Sequence, residues 1–189
     1  MGFGAARRPA PRAGASTEPD DGASPGRAVR SGPSLKGRAL RLLAQREHSR
    51  LELARKLGPY AESPEQLERV LDELEQAGLA SPHRFAESLA HRRASRFGVR
   101  RIELELDAHR LDAEVAAPVL ARLRGSERAR ALAAWRKRFG APAGDAAERA
   151  RHQRFLAQRG FTADSIGWVL RHGVHASDDP GTSVREDAD

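Results

Sequence analysis

Residues that open and close helices recur along this chain at an interval near fifty, and that recurrence limits its fold more than any other feature. Apolar stripes with helical spacing end at Gly58, Arg110 and Gly160, which lie 52 and 50 residues apart. A helical unit repeated at such a period is a tandem array, each copy being too small to bury a stable core alone. The boundaries come from local chemistry. Ser49 with Glu52, Ser63 with Gln66 and Asp145 with Glu148 have the spacing of capping boxes, while Ser81-Pro82, Ser126 and Thr162 open further helices. Gly58, Gly78, Gly98, Gly160 and Gly173 stand where helices stop. Only Ile102–Leu106 alternates apolar with polar, and Val99, Ile102 and Leu106 also fit a helical face. The pattern predicts an all-α fold: an elongated tandem array of three three-helix repeats over 34–81, 82–125 and 126–173. Pro118 should kink the helix predicted over 112–123 or delay its start.

Residues 1–33 hold six Gly and five Pro, and residues 174–189 carry five acids against one arginine. Neither segment has the apolar content to offset chain entropy, so both are expected to be disordered tails, the first basic and the second acidic. The 189 residues contain 33 Lys+Arg, 26 Asp+Glu and no cysteine, a net charge of +7 that rises to +9 over 34–173. Disulfides and thiol chemistry are excluded. No Gly-rich phosphate loop is present, and the seven histidines are scattered. His172 and His175 are three apart, but Gly173 between them breaks the helix that would hold them as ligands. Glu103 and Glu105, two apart, point away from each other on a helix. No catalytic, cofactor or metal site is expected; the chain should act by binding. No apolar run reaches the roughly 18 residues of a membrane span, and the N-terminus lacks the apolar core of a signal peptide, so the expected setting is the cytoplasm, with no membrane partner.

The most informative stretch is residues 78–111. With Phe85 at zero on a helical wheel, Arg93 falls at about 80°, inside the apolar arc. An arginine there needs a partner, and Glu105 on the next helix is the candidate. Arg84, Arg92, Arg96, Arg100 and Arg101 are left as a candidate basic surface for a macromolecular partner.

The motifs of this stretch run Gly78-Leu79-Ala80, Arg84-Phe85-Ala86, Arg93, Gly98, and Arg101-Ile102 followed by Glu105-Leu106. A second set is Phe155-Leu156 with Arg159-Gly160-Phe161 and then Ile166; a third is Ala39-Leu40, Leu43, Arg46, Ser49 and Glu52-Leu53. Taken in order, they resemble the RecX regulatory proteins, which inhibit the RecA recombinase; the resemblance covers about 38–173. In that family Phe85, Arg93, Gly98, Ile102, Glu105, Leu106, Gly160 and Phe161 would be structural positions. This chain departs from the family at Ser81-Pro82-His83, where acids are usual, and at Arg110, where glycine is usual and a left-handed arginine costs about 1 kcal/mol. The resemblance implies a monomer that lies on the RecA–DNA filament. It would inhibit ATP hydrolysis, strand exchange and co-protease activity, thereby modulating DNA repair and recombination. DNA itself would be bound weakly at most.

A DNA-binding protein built from helix-turn-helix-like repeats is the competing expectation. Against it, residues 64–76 carry five acids and one arginine, a poor approach to phosphate.

Overall fold

The computed structural model describes residues 32–173. The tails predicted at 1–33 and 174–189 therefore lie outside the described residues, apart from Gly32 and Pro33. Among the described residues there are nine α-helices, one short 3-10 turn and no strand. The helices are α1 (Leu35–Leu43), α2 (Arg50–Leu57), α3 (Pro64–Gln76), α4 (Pro82–Ala94), α5 (Val99–Ala108), α6 (Ala113–Gly125), α7 (Glu127–Arg138), α8 (Ala146–Gln158) and α9 (Ala163–His172).

Each group of three closes on its own core. Leu53, Leu57, Leu71 and Leu74 form the first, with Ala39 and Ala80. Phe85, Leu89, Ile102, Leu106 and Val119 form the second, and Trp135, Leu156, Phe161, Ile166 and Val169 the third. Two helices cannot enclose a core; a third laid across them covers the remaining apolar stripe.

Most helix starts follow the local rules. Ser49, Ser63, Ser81 and Asp145 accept from the backbone N–H three residues on, at 3.1, 3.2, 3.3 and 2.7 Å. The reciprocal half of each capping box goes elsewhere. Glu52 binds the Arg46 guanidinium at 2.8 and 3.0 Å. Gln66 and Glu148 reach the N–H groups of Glu62 and Gly144, one residue beyond the cap.

α2 stops at Gly58 as expected; Gly58 is right-handed (φ −47°) and opens a 3-10 turn over Gly58–Tyr60 that Pro59 supports. Two expectations are met only in part. Ser126 stands at the N-cap of α7, but its side chain makes no cap hydrogen bond. Its hydroxyl donates to the Leu123 carbonyl at 3.3 Å, and it is the single residue between α6 and α7. Pro118 does not delay α6, which starts at Ala113 and runs to Gly125. Pro118 lies on the exposed side of α6, where losing one helix hydrogen bond costs least. Arg110 does adopt the left-handed conformation, at φ 55°, as do Gly78 and Gly160 at 66° and 79°.

Candidate partner-binding surface

Gly98 precedes α5 and Gly160 follows α8, and their backbones meet. The Gly98 N–H donates to the Arg159 carbonyl at 2.9 Å, and the Arg100 N–H to the Gly160 carbonyl at 3.1 Å. A Cβ on Gly98 would lie 2.3 Å from the backbone of Gly160 and Phe161; one on Gly160 would lie 2.6 Å from Arg101. Both glycines read as helix stops in sequence. Their larger role is to let the second and third repeats touch backbone to backbone.

Beside this seam Glu127 is buried, 3% exposed. It accepts from the Val99 N–H at 2.8 Å, from Thr162 Oγ1 at 2.5 Å and from Ser165 Oγ at 2.9 Å. One carboxylate thus serves the N-terminal turns of α5 and α9 together, where helix dipoles favour negative charge. Arg130 binds the other pole. It donates to the carbonyls of Ala94, Phe97 and Leu123 at 3.0, 2.8 and 2.8 Å, and its burial pulls its pKa below the ordinary arginine value.

The five candidate arginines are engaged in different ways. Arg84 is a clamp: its Nε donates to Glu47 at 2.7 Å and its Nη2 to the carbonyls of Gly78 and Leu79 at 2.9 and 3.0 Å, tying the second repeat to the first. Arg92 donates to Ser88 Oγ, and burial, then the nearby Arg46, lower its pKa. Arg101 stands 3.7 Å from Glu105, which also takes Arg93 Nε at 2.7 Å. Among the described residues Arg96 and Arg100 form no ion pair, and they line two different clefts. Arg96 shares one of about 270 Å³ with Lys137, Arg138, Arg159 and Phe155. Arg100 shares the other, of about 330 Å³, with Arg149 and Gln153.

Sequence reasoning missed Glu127, Arg130, Lys137, Arg138 and Arg159. The available signal was charge by repeat. Residues 34–81 hold eight basic and eight acidic side chains, 82–125 nine and six, and 126–173 ten and four. The excess sits in the third repeat, not on the arginine-rich α4. Among the described residues no cluster of three or more potential metal ligands occurs, and no helix is long and apolar enough to cross a membrane.

The family model described as RecX, third three-helix domain, matches residues 126–170. The regulatory protein RecX of Leptothrix cholodnii is 50% identical over 149 residues, covering 79% of this chain and 95% of that protein. The chain belongs to the RecX family. The RecX of Ralstonia nicotianae is 48% identical over 146 residues, covering 77% of this chain and 92% of its own. The crystal structure of RecX from Lactobacillus salivarius superposes with a TM-score of 0.62 at 17% identity, covering 73% of this chain and 93% of that one, and shows that the fold is shared. These RecX relatives are regulatory proteins, and the helical repeats of this chain agree with that class.

Proposed function

We propose that this chain is a negative regulator of the RecA recombinase, acting in the cytoplasm as a monomer. It binds the RecA–DNA filament and suppresses ATP hydrolysis, strand exchange and co-protease activity. The observation that carries this reading is the 50% identity to a regulatory RecX over 95% of its length. The geometry adds a physical route. Exposed cations without carboxylate partners, Arg96 and Arg100 among them, flank a stiff seam and can meet a polyanionic nucleoprotein with salt-sensitive attraction. DNA contact accompanies this weakly. A direct DNA reader using the third helix of each repeat is disfavoured: on α3, Glu68, Asp72 and Glu75 are gathered around Arg50, and on α6 Arg122 and Arg124 are paired with Glu87 and Glu103.

The test is ATP hydrolysis by RecA on single-stranded DNA. Sub-stoichiometric addition of the chain should suppress hydrolysis. Arg96→Glu with Arg100→Glu should weaken that suppression while circular dichroism stays helical. Unchanged hydrolysis with the unaltered chain, together with tight binding to duplex DNA lacking RecA, would replace this reading with the DNA-binding one. Full suppression by the double variant would remove the two arginines from the contact.

A further inference from the structure

The four acids of the third repeat are all committed. Glu127 is buried in the seam, Asp145 caps α8, Glu148 accepts from the Gly144 N–H, and Asp164 pairs with Arg128 at 2.9 Å. Among the described residues, Lys137, Arg138 and Arg159 therefore have no carboxylate partner. Four cations without an ion-pair partner among the described residues line the cleft of about 270 Å³: Arg96 beyond α4, Lys137 and Arg138 on α7, and Arg159 beyond α8. The remaining lining is Ser95, Ala134 and Phe155, with no carboxylate. Arg159 lies 3.8 Å over the Phe155 ring, Arg138 lies 5.4 Å from the Phe139 ring and Arg96 5.7 Å from the Phe97 ring, so aromatic contacts orient three of the four charges. Like charges held this close repel one another until an anion enters.

We propose that this cleft is a carboxylate-binding site whose occupant is the chain's own acidic segment, residues 174–189. Charge is the first argument. That segment carries Asp178, Asp179, Glu186, Asp187 and Asp189 against Arg185 alone, and faces four uncompensated cations. Reach is the second. Gly173, where the described residues end, packs against the Trp135 ring, and Trp135 shares α7 with Lys137 and Arg138. Asp178 and Asp179 follow Gly173 by five and six residues, a span of up to roughly 16–20 Å when extended, whereas Trp135 to Arg138 is about 5 Å of helix rise. Tethering places the carboxylates at an effective concentration near the millimolar range. The aromatic environment is the third. Arg159 lies over one face of Phe155, and Phe139 meets the same ring edge-on at 5.1 Å, so part of the ring surface a base would stack on is already taken. Carboxylates therefore fit it better than single-stranded nucleic acid. Where the RecA reading holds, the segment covers Arg96 and competes with the filament; occupancy of the cleft itself does not depend on that reading.

The chain contains only three lysines, Lys36, Lys56 and Lys137, which makes the test direct. A zero-length carbodiimide joins an amine to a carboxylate in contact, and mass spectrometry locates the join. The full chain is treated at low ionic strength as a mixture of isotopically heavy and light copies. Lys36 to Glu73, an ion pair of 2.8 Å, is the internal control. Lys137 should couple to carboxylates of 174–189 within one copy, at about tenfold the yield of Lys56 to the same segment, given its tethered position. The join should fade as salt shortens the screening length from roughly 10 Å to 3 Å. Arg138→Glu with Arg159→Glu should abolish it while the Lys36–Glu73 join persists. Three outcomes would each overturn the proposal: no Lys137 join while the control forms, equal joining of the segment to all three lysines, or joins formed mainly between heavy and light copies. No RecA is present, so this result stands apart from the hydrolysis assay.

Discussion

The two junctions between repeats are built from different materials. The first repeat meets the second through side chains. Arg84 reaches Glu47, and Ser49 Oγ shares a 3.0 Å hydrogen bond with His109 Nδ1, whose ring is held within the second repeat edge-on to Phe85 at 4.7 Å. A cavity of about 230 Å³ remains there, lined by His48, Ser81, His109 and Asp112 among others. The second repeat meets the third through backbone, at Gly98 and Gly160, with Glu127 and Arg130 bound to helix ends on either side. Long side chains re-adjust at small cost, while backbone in contact cannot. The first junction is the one that salt, pH and single substitutions should tune; the second should hold or fail as a unit.

The largest effect should follow from adding one methyl group to the second junction. Gly98→Ala places a Cβ 2.3 Å from the backbone of Phe161, a contact that only separation of the repeats relieves. We expect a loss of about 3–5 kcal/mol by chemical denaturation, the range of severe overpacking. Hydrogen exchange should rise at the Gly98 and Arg100 amides. Gly125→Ala, where a Cβ meets nothing within 4 Å, should cost little by the same measure. Similar costs for the two variants would mean that the seam is soft and the contrast between the junctions is false.

How the chain could be read depended on how far apart the interacting residues lie. Ser49, Ser63, Ser81, Asp145 and Thr162 each cap a helix through a partner three residues away, so a short window of sequence contains the whole interaction. Pro118 did not delay the start of α6, which begins at Ala113 and carries Pro118 on its exposed face. Glu127 looks like an ordinary first-turn acid. Its partners Val99, Thr162 and Ser165 are 28, 35 and 38 residues away, and nothing local marks it for burial. Arg84 likewise passes for a surface charge until Glu47, 37 residues back, is brought beside it. The arginine cleft was hidden for the same reason: Arg96 and Arg159 become neighbours only through the seam. The excess of ten basic over four acidic residues in 126–173 could have been counted from the start.

A smaller effect is expected at the ion pair inside the second repeat. Arg93 binds Glu105 at 2.7 Å, but its side chain is 44% exposed, and Arg101 stands 3.7 Å from the same carboxylate. Solvent screens the pair and a second guanidinium remains when Arg93 is removed. Arg93→Ala should therefore cost only about 0.5–1 kcal/mol in a denaturant titration. Arg93→Ala with Arg101→Ala should cost more than the sum of the two single variants, because only then is Glu105 left without a guanidinium. Strict additivity would show that the two arginines do not share Glu105.

The subtlest contrast is in acid response. His48 is buried beside the first junction: its Nδ1–H donates to the Arg46 carbonyl at 3.0 Å and its Nε2 accepts from Lys56 Nζ at 3.1 Å. Burial first, then the charges of Arg46 and Lys56, hold its pKa below the ordinary histidine value, against the opposing pull of the Arg46 carbonyl and Glu52. In the third repeat His152 is also lowered, by burial and then Arg151, while it accepts from Trp135 Nε1 at 3.2 Å. For both, the folded state binds its proton less readily than the unfolded chain. Each contribution is therefore complete above the unfolded pKa, about 6.5, and is lost as pH falls through the lower folded value. Protonating His48 sets a second positive charge against Lys56 and removes the acceptor it donates to, which strains the first repeat where it meets the second. Hydrogen exchange between pH 7 and pH 5, corrected for intrinsic rates, should show protection falling in α2 before it falls in α5. His48→Asn, which keeps a donor for the Arg46 carbonyl without a titrating ring, should flatten the response in α2 and leave that of α8 unchanged. A response in α2 that survives this substitution would place the acid-sensitive group elsewhere in the junction.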